Sequence, residues 1–177
     1  GFSLYMEMLE QAVEALKRGE QPDTAKPLSG GPEVNLRIPA LIPEDYLPDV
    51  FTRLTLYKRI AGSKNGDQLK ELQVEMIDRF GLLPDPVKNL FQVTELRQRA
   101  EKLGITRLDA HARGGKLEFA ERTPVDPLTI VKLVQSGPHI YKLEGASTLR
   151  FELESETAQE RIGVVSGVLQ RLSGSNA

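Results

Sequence analysis

The hydrophobic period of this chain changes once, close to Gly104, and no other feature constrains its fold so tightly. Upstream, apolar residues recur at three- and four-residue steps, as a helix face requires. Downstream they alternate in short runs broken by glycine-bearing turns, as strands require, with helical stretches set between. Helices grouped first, then hairpins interleaved with helices, predict an α+β fold with a mainly antiparallel sheet.

The spacing predicts a first helix over residues 3–18, with Leu4, Met8, Leu9, Ala12 and Leu16 on one face. A linker rich in proline and glycine follows, up to Pro32. Val34 to Ile38 alternates as a short strand. Pro39, Pro43 and Pro48 then bracket an ordered loop with a turn near Glu44–Leu47. Asp49 caps a helix to Ala61. Asn65 and Gln68 open a second, over residues 66–80, with Leu69, Leu72, Met76, Ile77 and Phe80 inward and Gly81 at its end. A third runs from Asp85 to Leu103. Ile105–Ala110 and Lys116–Ala120 form a hairpin about a turn at Arg113–Gly115. A helix over 126–135, a hairpin about Gly145 and a helix over 157–172 complete the chain. The expected division is residues 1–32 as helix and linker, and residues 33–177 as one α+β domain.

Charge and composition remove several functions. Lys plus Arg number 23 and Asp plus Glu 25, a net charge of −2, which argues against bulk electrostatic binding of nucleic acid or an anionic membrane. Without cysteine there is no thiol catalysis, disulfide or cysteine metal site. His111 and His139 alone cannot build a histidine metal centre. No apolar run reaches membrane-spanning length, and no signal peptide opens the chain. The chain begins at Gly1 already in helical pattern, so it reads as a piece of something larger.

The chemistry-bearing patterns are few. Arg113-Gly114-Gly115-Lys116 lacks the spacing of a phosphate loop, because Ala110 and Leu117 stand where glycine and Ser or Thr are needed. The glycines are expected to serve a hairpin turn. Residues 97–122 hold seven basic and four acidic residues, and Arg107, Arg113 and Lys116 beside His111 could touch phosphate. A solvated basic edge strand is the competing account. Glu152, Glu154 and Glu156 are expected on one outward strand face, away from any pocket. No Ser–His–Asp set or metal motif is present, so the chain reads as non-enzymatic, with no cofactor and no metal.

One helix face stands apart. In the second helix of the central block, Glu71, Glu75, Asp78 and Arg79 fall at steps of four, three and one. At about 100° per residue they are expected to share a narrow sector opposite Leu69, Leu72, Met76 and Ile77, with the heads of Glu75, Asp78 and Arg79 close together. Such a cluster suits either a solvated face or a charged recognition patch on a rigid helix.

The same helix carries a recognisable string. Arg53-Leu54, Tyr57-Lys58-Arg59-Ile60-Ala61, Glu75-Met76-Ile77-Asp78-Arg79-Phe80-Gly81 and Leu83-Pro84 resemble the C-terminal domain of the bacterial transcription-repair coupling factor. Gly1-Phe2, Leu4-Tyr5, Leu103-Gly104-Ile105 and the Gly114-Gly115 hairpin with Glu118-Phe119-Ala120 fit the same pattern. The resemblance implies a bacterial, cytoplasmic, ATP-driven translocase that displaces stalled RNA polymerase and recruits the repair protein UvrA through a UvrB-like module. It implies that this C-terminal domain packs on that module and hides the UvrA-binding surface, through Glu75, Asp78 and Arg79. None of the family's nucleotide-binding motifs lies in this chain, so ATPase activity is not carried over. The alternative reading is a nucleic-acid accessory domain using Arg107, Arg113 and Lys116.

Overall fold

The computed structural model describes residues 31–174. The helix expected over 3–18 and nearly all of the expected linker lie outside the described residues. In order, the chain forms β1 (Glu33–Asn35), α1 (Val50–Ala61), α2 (Gly66–Phe80), α3 (Asp85–Lys102), β2 (Ile105–His111), β3 (Gly114–Phe119), α4 (Pro127–Ser136), β4 (Tyr141–Glu144), β5 (Thr148–Phe151) and α5 (Ala158–Leu172).

Local chemistry starts and stops these helices. The Asp49 carboxylate accepts the Thr52 N–H at 2.9 Å and opens α1. The Asn65 side chain accepts from Gln68 N–H at 3.0 Å, and Gln68 returns to the Lys64 N–H at 2.8 Å, one residue before the cap. Gly81, at φ +94°, ends α2 in a conformation that residues with a Cβ rarely adopt. Thr157 and Glu160 form a full capping box at the start of α5.

The five strands form one sheet in the order β1-β2-β3-β5-β4. The β2–β3, β3–β5 and β5–β4 pairs are antiparallel, and β1 joins β2 in parallel. Three helices separate β1 from β2, which is the kind of long crossover a parallel pair needs. One face of the sheet is apolar: Val34, Leu108, Leu117, Leu149 and Phe151 are all buried. Helices α3 and α5 cover it, and α4 packs beside β4. Helices α1 and α2 lie outside α3, each burying a narrow stripe, Leu56 and Ile60 from α1 and Leu69, Leu72 and Met76 from α2. The fold is therefore α+β with a mixed, mainly antiparallel sheet.

Two arginines are built into this interior. Arg161 on α5 donates to the carbonyls of Leu36, Arg37 and Ser155 and to the Ser155 hydroxyl, tying α5 to the segment after β1. Arg53 on α1 donates to the carbonyls of Leu47 and Pro48. Both are buried, and both are satisfied by main-chain oxygens, which is what buried polar groups require.

Several expectations are corrected. The β2–β3 turn is Ala112–Arg113, not Arg113–Gly115, because His111 pairs directly with Gly114. The two glycines sit in the strand for a packing reason. A Cβ on Gly114 would lie 2.0 Å from the Phe151 carbonyl oxygen, and one on Gly115 would lie 2.2 Å from the Asp109 carbonyl oxygen. Strands β2 and β3 are interior, so the basic stretch is not on a sheet edge; the edges are β1 and β4. Glu152, Glu154 and Glu156 follow the end of β5 in a loop rather than on a strand face. Ile77, expected inward, is exposed.

Candidate interaction site

The acidic and basic residues singled out on α2 are on the outer layer of the fold, facing away from the sheet. Glu71, Asp78 and Arg79 are exposed, and Glu75 is half-buried beside α1. The helix is held from beneath by Leu69, Leu72 and Met76, so these heads are presented on a rigid element.

Glu75 is the hub. Arg59, in the last turn of α1, donates to one of its oxygens through Nη1 and to the other through Nη2, the second at 2.9 Å. Arg79, one turn further along α2, donates to the first oxygen at 3.2 Å. The Arg59 hydrogen bonds, then its charge and the Arg79 contacts, hold the Glu75 carboxyl down at about 2. In return Glu75 raises the Arg59 guanidinium above its ordinary value.

Arg79 is fixed on its other side as well. Its guanidinium lies 4.7 Å from the centre of the Phe80 ring. Phe80 meets Tyr46 edge-to-face with centroids 6.4 Å apart, and the Tyr46 hydroxyl donates to the Gly81 carbonyl at 2.9 Å. Asp78 and Glu71 make no ion pair among the described residues. Apolar surface flanks these charges: Val74 is 59% exposed and Leu82, in the turn after α2, is 85% exposed. Ile77 and Leu82 line an open groove of about 900 Å³ together with Phe91, Gln92 and Gln159. Exposed apolar side chains beside fixed charges are a usual composition for a docking surface.

The second set of residues is less concentrated. Arg107 lies on the open face of β2 with its Nε on Asp109 at 2.9 Å. Lys116, on β3, pairs in register with Asp109 on one side and Arg150 on the other. Arg113 is in the Ala112–Arg113 loop, where its N–H donates to His111 Nδ1 at 3.2 Å. Asp109, Glu118 and Glu144 are interleaved with these cations across the face. Among the described residues no group of three or more His, Cys, Asp or Glu could hold a metal. No described helix is long and apolar enough to cross a membrane.

Sequence reading missed Arg59 as a member of the site. Its only local signal was its place among the basic residues of the last turn of α1. The pairing with Glu75 depends on how α1 and α2 are laid side by side.

Fold and site together describe an α+β domain that displays a fixed charge cluster on its outermost helix. The family profile of the TRCF domain matches residues 36–130, and the chain belongs to that family, the transcription-repair coupling factors. It is 47% identical over 172 residues to the transcription-repair-coupling factor of Escherichia coli K12, a match covering 97% of this chain and 15% of that protein. With the Haemophilus influenzae protein the identity is 43%, over 98% of this chain and 15% of the relative. With the Bacillus subtilis protein it is 32%, over 97% and 15%. The chain thus spans about a seventh of the length of these relatives. Its fold is also that of a crystal structure of the C-terminal domain of transcription-repair coupling factor, at a TM-score of 0.66 and 23% identity, covering 84% of this chain and 97% of the other.

Proposed function

We propose that residues 33–177 form a non-catalytic regulatory domain of a transcription-repair coupling factor. The domain docks on the UvrB-like module of the same protein and hides that module's UvrA-binding surface. Residues 1–32 then belong to the end of the translocase module, and ATP-driven displacement of RNA polymerase belongs to the rest of the protein. The observation that carries this reading is the outer face of α2. There Glu75, Asp78 and Arg79 are displayed together on a rigid helix beside exposed Val74 and Leu82. A tethered domain needs only a weak contact, because the linkage raises its effective concentration to about the millimolar range. Asp78 and Glu75 suit cationic side chains on the facing surface, and Arg79 suits a carboxylate or a main-chain acceptor.

The test is replacement of Glu75, Asp78 and Arg79 by Ala in a full-length protein carrying this domain, followed by titration with purified UvrA. The expected result is an increase in UvrA affinity of about tenfold, as the masked population is released. Unchanged affinity in a folded variant overturns the reading.

A further inference from the structure

We propose that Arg59 is a resident competitor within the docking surface: it occupies on Glu75 the place that a cationic side chain of the docking partner must take. The inference rests on the masking reading and concerns the same face. Three N–H groups already fill the two oxygens of Glu75, two from Arg59 and one from Arg79. Asp78, one turn along, is exposed and makes no ion pair among the described residues. An incoming guanidinium or ammonium therefore finds an open acid at Asp78 and a filled one at Glu75. To use both it must displace Arg59.

Arg59 is placed to be displaced. Its side chain is 43% exposed and that of Glu75 is 38% exposed, so the pair is wet and exchanges with solvent. Arg59 comes from α1, and both helices are seated independently on α3, so releasing the pair unfolds neither. Arg79, by contrast, is kept in place by the Phe80 ring when its partner changes. Docking then exchanges one ion pair for another, and the net gain is small. A clasp of this kind closes and still opens.

The direction of effect separates this role from a structural one. If Arg59 merely supported the surface, its loss would weaken docking; as a competitor, its loss strengthens docking. The experiment uses the full-length protein with Asp78→Ala, whose masking is partly relieved so that UvrA binding can move either way. Adding Arg59→Ala is expected to lower UvrA affinity about three- to fivefold, the size of one exposed ion pair. Arg59→Gln should do the same while keeping more of the side chain. On a Glu75→Ala background, Arg59→Ala should change nothing, because nothing is left to compete for.

Unchanged or increased UvrA affinity in the Arg59 variants overturns the proposal, as does an effect that persists without Glu75. Failure of masking itself is read separately. If the triple Glu75, Asp78 and Arg79 variant binds UvrA no better than the parent, the regulatory reading falls and this one with it. If the triple variant binds better while Arg59→Ala does not lower affinity, only the competitor role falls.

Discussion

Arg59 grips both carboxylate oxygens of Glu75 across the seam between α1 and α2, two helices that otherwise sit side by side on α3. Glu75 is accordingly held ionised to about 2 in the folded domain, below its ordinary 4.5. A carboxyl lowered on folding adds stability above its unfolded value and loses it as pH falls through the folded one. The contact should thus persist at pH 4 and be lost only as pH falls through about 2, while its contribution to stability declines between about 4.5 and 2. Side-chain carbon shifts of Glu75, followed by NMR against pH, should show a midpoint near 2. In Arg59→Ala the midpoint should rise toward the ordinary carboxyl value, and an unmoved midpoint would show that Arg79 alone holds the charge.

Gly115→Ala should destabilise the domain by about 2–4 kcal/mol, a core-strain effect. The added methyl would meet the Asp109 carbonyl at 2.2 Å and the Phe151 ring at 2.5 Å, so β2, β3 and β5 would all have to part. Urea unfolding followed by far-ultraviolet circular dichroism gives the number. A change under about 0.5 kcal/mol would mean that the strands separate with ease.

Arg161→Met keeps the unbranched stem of the side chain and removes every donor. The carbonyls of Leu36 and Ser155 then lose their buried partner. The expected cost is about 3 kcal/mol, with hydrogen exchange rising first at β1, the strand next to the released segment. Uniform exchange across the sheet would contradict the idea that Arg161 fastens this end of it.

Thr157→Ala removes the hydroxyl that accepts the Glu160 N–H at 3.1 Å. The Glu160 side chain keeps its bond to the Glu156 N–H at 2.8 Å. The loss should be about 1 kcal/mol, seen as a lower denaturation midpoint at unchanged slope.

What could be read in the sequence was local. Asp49, Asn65 and Thr157 announce their helices because a cap binds within four residues of itself. The helix-then-hairpin order was legible for the same reason, since period is a local property. The clustering of Glu75, Asp78 and Arg79 followed from helix geometry alone. What could not be read came from distant parts of the chain. Gly114 and Gly115 are dictated by Phe151, which reaches them only through the sheet. Arg161 finds its acceptors in Leu36 and Arg37 at the other end of the domain. Ile77 was expected inward because it is apolar. Yet α2 lies in the outer layer and buries only the stripe of Leu69, Leu72 and Met76, which leaves Ile77 at the mouth of a groove.

The parallel seating of β1 against β2 has a consequence for how the domain is made. Glu33 pairs with Arg107. Roughly seventy residues must be synthesised between them, about 4–14 s of elongation at about 5–20 residues per second. For that interval β1 leaves the ribosome with no strand to join, and α1, α2 and α3 are complete before the sheet has begun to pair. Any product released early, before β2 emerges, carries a finished outer face on an unfinished base.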